Sequence, residues 1–181
     1  MAGAGAGKSR YPPDMARARA VVVATVAAAS VLGASVLGWW LGGLARAAQP
    51  VARVVEVIDG DTVVVEFADH STDTVRLLGI DTPETKHPVK GVECFGPEAS
   101  AFTTEHLLGR VVRLESDVVR RDVYGRRLAY VSVHGRRFND VLVERGYARF
   151  LVIEPNTRHA RDLLLEELDA RRARRGLWGD C

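Results

Sequence analysis

Three carboxylates, Asp61, Asp81 and Glu84, and two guanidiniums, Arg76 and Arg126, stand in segments whose local patterns would fix the direction of each side chain. Carboxylate oxygens are hard ligands suited to divalent cations such as calcium. Guanidiniums grip phosphate oxygens through two parallel hydrogen bonds. A site combining the two would hold a cation and a phosphodiester side by side, which is the equipment for hydrolysing that ester. Each residue alone has an ordinary structural use: an Asp in a turn, an Asp before a Thr-Pro corner, a loop Glu, a strand Arg paired with a buried acid. Their co-occurrence carries the reading.

The segments that must position them are short. Val54–Ile58 and Thr62–Phe67 are β-branched runs hinged on Asp59-Gly60, a hairpin signal that sets Asp61 where the second strand begins. Arg76 lies between Val75 and Leu77 in an apolar strand and so points to the opposite face from both. Asp81 and Glu84 fall in a loop marked by Pro83, and Arg126 ends a turn leading into the strand Leu128–Val133. Strands are expected at 53–58, 61–68, 72–79, 110–117 and 127–134. A helix is expected near 97–108, with Pro97 in its first turn and Gly109 at its stop. A short helix, Asn139–Arg145, has Asn139 as a good N-cap and stops at Gly146. The last helix, Arg158–Arg175, shows Ala160, Leu164 and Leu168 as its core face. Together these give an α+β fold: a five-stranded OB-type β-barrel with three helices, preceded by an N-terminal hydrophobic leader or anchor helix.

Three motifs occur in order: Asp59-Gly60-Asp61-Thr62, the long stretch from Asp81 to Thr103, and Tyr124-Gly125-Arg126-Arg127-Leu128-Ala129-Tyr130. From about Val54 to Trp178 the chain resembles the staphylococcal nuclease (thermonuclease) family. The resemblance implies that Asp61, Asp81 and the main-chain carbonyl of Thr82 hold one Ca²⁺. It implies that Glu84 takes or orients the proton of an attacking water, and that Arg76 and Arg126 flank the phosphate. The Tyr-Gly-Arg register selects Arg126 over its neighbour Arg127, as does strand alternation beginning at Arg127. Tyr124 either contacts the nucleotide or packs. DNA and RNA are the implied substrates, cut by a monomer to 3′-phosphorylated products. The resemblance thins after Gly146. The run Phe150–Asn156 is one residue shorter than the family's and lacks its tyrosines, and Val123 replaces a lysine, so base preference need not follow the family's.

The ends read differently from the middle. Ala20–Ala45 is an uncharged run of 26 residues preceded by Lys8, Arg10, Arg17 and Arg19, with Asp14 opposing. Residues 1–19 are thus a basic segment and residues 20–48 a signal peptide or a single transmembrane anchor. Ala45-Arg46-Ala47 suits cleavage, Trp39 and Trp40 suit an interfacial belt, and Met15 is an alternative start. Residues 49–181, the nuclease-like domain, are then expected outside the cytoplasmic membrane, secreted or anchored to it. The chain's net charge of +2 comes from its leader; Val51 onward holds 20 Lys and Arg against 22 Asp and Glu. Bulk charge therefore disfavours a nucleic-acid coat, and any phosphate must be met by a local site. The two cysteines, Cys94 and Cys181, are expected to pair in an exported protein, the alternatives being free thiols or an intermolecular bond. Closing so long a loop would stabilise by about 4–5 kcal/mol in the entropic account. Ala2–Ser9 mimics a phosphate-binding loop, but no strand precedes it and Pro12-Pro13 forbids the helix it needs. The five histidines show no zinc-like spacing.

Overall fold

Alternating apolar and polar residues build a closed barrel. The computed structural model describes residues 49–85 and 91–181; the basic segment, the apolar leader, the Ala2–Ser9 motif and residues 86–90 lie outside the described residues. Strand β1 (Val51–Val57) buries Ala52 and Val54 and pairs antiparallel with β2 (Thr62–Glu66), which pairs with β3 (Thr72–Leu77). On its other edge β1 pairs with β5 (Val111–Glu115), β5 with β6 (Arg127–Val133), and β6 with the short β7 (Arg136–Arg137). Strand β6 then runs parallel to β3, with Arg76 opposite Leu128, and closes the barrel. Closure removes the edges that an open sheet would expose. Val63, Val65, Val75, Leu77, Leu114 and Val131 fill the interior, all fully buried.

Three helices cover this barrel. Helix α1 (Gly96–Leu107) has Pro97 in its first turn and lays Phe102 and Leu107 into the core. Helix α2 (Phe138–Glu144) adds Phe138 and Leu142, and α3 (Ala160–Arg172) packs against α2. A last helical turn, α4 (Leu177–Asp180), buries Leu177. Cys94 and Cys181 are joined in a disulfide that ties the chain's end to the corner before α1. Among the described residues no helix is long and apolar enough to cross a membrane.

Four local expectations are corrected. Between β1 and β2 the first hairpin has a four-residue connection, residues 58–61, wider than a two-residue Asp-Gly turn. Gly60 has no positive φ there; it is needed because a Cβ would lie 2.8 Å from the Thr82 side chain. Asp81 is not in a free loop: Ile80–Asp81 forms a short strand, β4, paired with β8 (Arg149–Phe150). Asn139 does not cap α2. Its Oδ1 accepts from the Val131 N–H at 2.9 Å and its Nδ2 donates to the Leu78 carbonyl at 2.8 Å, serving core main-chain groups. In α3 the inward residues are Leu163, Glu167 and Ala170, while Leu164 and Leu168 are 41% and 39% exposed. The Glu167 carboxylate accepts from the Phe150 N–H and from Arg171, and this polar anchor turns the leucine row outward.

Glu166 sits on α3 facing acidic company. Burial pushes its carboxyl up to about 7, with Asp140, Glu144 and Asp162 adding to the shift and Arg137 opposing it. Its Oε2 is shielded and has no hydrogen-bond partner among the described residues.

A raised folded-state carboxyl pKa means the native state holds its proton longer than the unfolded chain. The resulting penalty is absent at pH 4 and grows as pH climbs toward 7. Glu166→Gln is therefore expected to raise the melting temperature at pH 8 and to leave it nearly unchanged at pH 4, as read by calorimetry. Asn139→Ala strands a buried donor and a buried acceptor, and should lower unfolding free energy in urea by about 2–4 kcal/mol.

Candidate active site

The buried guanidinium of Arg76 organises one end of the barrel. Its Nη1 donates to the carbonyls of Leu77 at 2.6 Å and Ile80 at 2.8 Å. Its Nε lies 3.1 Å from Asp61 Oδ1, and its Nη2 donates to Asp81 Oδ1 at 3.0 Å. Strand alternation aims Arg76 here, and the β3–β4 turn wraps its carbonyls around the cation. Three of the five N–H groups donate hydrogen bonds and Nε adds an ion pair with Asp61, which leaves a second N–H on Nη2. Asp61 is 5% exposed and fully satisfied: Oδ1 also accepts from the Thr62 hydroxyl, and Oδ2 from the Thr82 N–H at 2.9 Å and hydroxyl at 3.2 Å.

Like charges crowd the same place. A cavity of about 240 Å³ is lined by Asp59, Asp61, Asp81 and Glu84 and by Arg76 and Arg126, with Thr62, Thr82 and Pro83 between them. Burial lifts the Asp59 carboxyl to about 6, and the neighbouring Asp61 charge adds to this. Asp81 is also raised, first by burial and then by Asp61 and Glu93, with Arg76 and Arg149 opposing. Four carboxylates facing two guanidiniums leave negative charge in excess, which a divalent cation would offset.

Glu84 and Arg126 enter from opposite loops. The main chain of Glu84 is clamped by Glu93: Glu84 N–H donates to Glu93 Oε2 at 3.2 Å, and Glu93 N–H donates to the Glu84 carbonyl at 2.8 Å. Glu84 Oε1 accepts from the Thr85 N–H at 2.9 Å. The start of α1 lies against this loop so closely that a Cβ on Gly96 would fall 2.8 Å from the Glu84 carbonyl oxygen. Among the described residues Arg126 is held by Asp122, Nε to Oδ2 at 2.7 Å, an anchor that does not use its two terminal amino groups at the cavity. The Asp122 carboxyl accepts from the Tyr124 and Arg126 N–H groups too; burial would raise its pKa, but these bonds hold it below the usual range. Tyr124 is 82% exposed, with its ring 5.4 Å from the Arg126 guanidinium, so it is surface and not core.

The donor set suits a hard cation. Asp81 is half-exposed and turns only Oδ1 to Arg76, while the Thr62 and Thr82 hydroxyls on Asp61 can rotate away. Among the described residues no three His, Cys, Asp or Glu side chains stand close enough for a side-chain cage. Main-chain oxygen and water would have to complete the shell.

All five residues singled out by type and spacing meet at this cavity, with Thr82 between them. Three supporting acids were not anticipated. Asp59 and Asp122 were legible only as turn residues, although Asp122 stands four positions before Arg126. Glu93 gave no local signal, since its partner Glu84 lies nine residues away.

Comparison with known proteins adds a separate line. A model of the staphylococcal nuclease homologue family matches residues 74–180. The chain is 38% identical over 138 residues to the thermonuclease of Staphylococcus hyicus, covering 76% of this chain and 81% of that one. It is 40% identical over 127 residues to the thermonuclease of Staphylococcus intermedius, covering 69% and 74%. It is also 42% identical over 123 residues to endonuclease YncB of Bacillus subtilis, covering 67% and 58%.

The two arginines should differ in what they do for stability. Arg76→Ala leaves the buried Asp61 charge without its counter-charge and is expected to lower unfolding free energy by about 3–5 kcal/mol. Arg126→Ala frees a carboxylate still satisfied by two main-chain N–H groups, and should cost about 1 kcal/mol or less. Urea unfolding of the two variants checks both.

Proposed function

Because the chain belongs to the staphylococcal nuclease homologue family, we propose that it is a Ca²⁺-dependent nuclease hydrolysing the phosphodiesters of DNA and RNA. The single observation that carries this is the convergence of Asp61, Asp81, Glu84, Arg76 and Arg126 on one polar cavity. A catalytically silent binding domain has no need of that complete set, and an acidic domain is a poor general nucleic-acid binder.

Asp61, Asp81 and the Thr82 carbonyl would hold the cation. When bound, Ca²⁺ supplies charge relief to the phosphoryl oxygens. The protein's own groups divide the remaining work. Arg126, anchored through Nε, offers two terminal amino groups as a fork to two phosphate oxygens. Arg76 has one N–H left and acts as a fixed single donor whose position the buried network enforces. Both contacts strengthen as charge builds on the phosphoryl oxygens, which is where binding lowers the barrier. Glu84 lies at the wall of the same cavity. It takes or orients the proton of a water that attacks phosphorus in line as the 5′-oxygen leaves, giving a 3′-phosphate. Exposed Tyr124 beside Arg126 offers a face to the flanking nucleotide. The basic-then-apolar start of the chain supports a domain delivered outside the cytoplasmic membrane, secreted or held by residues 20–48.

Hydrolysis of denatured DNA by the purified chain, assayed with and without EGTA, tests the proposal. Activity should vanish on chelation and return with Ca²⁺. Glu84→Gln and Arg126→Ala should each lower kcat by about 10²–10⁴-fold while the domain stays folded. Wild-type turnover no faster than that of Glu84→Gln would overturn the reading.

A further inference from the structure

The loop bearing Glu84 is fastened at its far end by a feature the cavity itself does not contain. Glu93, which clamps the Glu84 main chain in both directions, is followed at once by Cys94. Cys94 is bonded to Cys181 at the chain's end. That end is itself fixed to the body of the domain: the Leu177 N–H donates to the Gly146 carbonyl at 2.9 Å, and Leu177 is buried. Between Cys94 and α1 the chain makes a strained corner. The Gly96 N–H donates back to the Glu93 carbonyl at 3.0 Å, and Phe95 holds φ at 70° with its ring 5.3 Å from Tyr147. A left-handed residue with a side chain persists only where its surroundings hold it. A continuous path therefore runs from the buried Leu177 through α4, the disulfide and Glu93 to Glu84.

We propose that the Cys94–Cys181 bridge is a positioning element for catalysis, holding Glu84 through Glu93 so that turnover depends on the bridge being closed. The proposal rests on the role given to Glu84 above. The physical basis is geometric: a base must lie one hydrogen bond from its water, and a displacement of about 1 Å costs on the order of 10²-fold in rate. Glu93 is accordingly a positioning residue, acting on the Glu84 main chain by one side-chain and one main-chain hydrogen bond. Both cysteines are exposed, so a dithiol reaches the bridge. Reduction breaks the S–S bond, and two electrons and two protons from the dithiol leave two thiols while the reagent closes to its own disulfide.

The purified full chain is assayed with saturating Ca²⁺ on denatured DNA, oxidised and after dithiothreitol, at a temperature where circular dichroism shows both forms folded. Cys94→Ser/Cys181→Ser is carried alongside. Opening the bridge should lower kcat about tenfold with KM within about twofold, a loss confined to the chemical step. Glu93→Ala should reproduce that loss with the bridge intact, Glu93→Gln should recover most of it, and reduction of Glu93→Ala should add little, because the two act in series. A folded, reduced enzyme with full kcat overturns the proposal, as do losses from reduction and Glu93→Ala that multiply. Slow Glu84→Gln beside a fast reduced enzyme sinks the role of the bridge alone. Fast Glu84→Gln sinks the reading of Glu84, and the proposal with it.

Discussion

A buried guanidinium is expensive unless every bond it can make is made, and Arg76 comes close to that limit. Its partners come from three separate places: Asp61 just before β2, Leu77 at the end of β3, and Ile80 and Asp81 in β4. The interaction therefore sets the spacing of two carboxylates that would otherwise repel each other. It also limits what Arg76 itself can offer a phosphate. The fork that a phosphate wants is left to Arg126, whose anchor takes only Nε.

Charge within the cavity runs against the charge of the substrate it is proposed to take. Asp59 and Asp81 both have carboxyls raised by burial and by Asp61, so the acids are not comfortable as an isolated group. A divalent cation would relieve them and a phosphodiester would then find two arginines, so binding of metal and substrate would be mutually supportive. This also explains how a domain with a slight acidic excess handles a polyanion. The field that matters is local, and little of it survives beyond about one Debye length.

How far the sequence is legible depends on whether a feature is local. The barrel strands are carried by branched residues in period two, and Arg76 takes the alternate position between Val75 and Leu77, which is why its direction could be read. Strands β4 and β8 have two residues each, too few for any period, so Asp81 looked like loop until Arg149 paired with it. The face of α3 was misread because leucines at 164 and 168 outweigh a glutamate at 167 on any hydropathy count. Only tertiary structure shows that Glu167 has the Phe150 N–H to satisfy. Asn139 failed in the same way: cap chemistry is a local inference, and the main-chain groups at Val131 and Leu78 made a stronger claim on it. Glu93 and Asp122 act on functional residues without resembling functional residues.

These last two acids reveal a division within the site. Arg76 sits on a barrel strand, Asp61 directly before β2 and Asp81 on the short strand β4, and the three are fixed by these main-chain pairings and by one another. Glu84 and Arg126 sit on loops, where no ladder holds them, and each has a carboxylate of its own: Glu93 on the Glu84 main chain, Asp122 on the Arg126 side chain and N–H. A loop residue can be aimed only by spending such a partner, because a few tenths of an ångström decide whether a donor meets its acceptor. The surplus of acids around this cavity is thus partly the cost of aiming. Glu93 can do that work beside a cation site because a neutral N–H leaves its negative charge in place, where it adds to the field on Asp81.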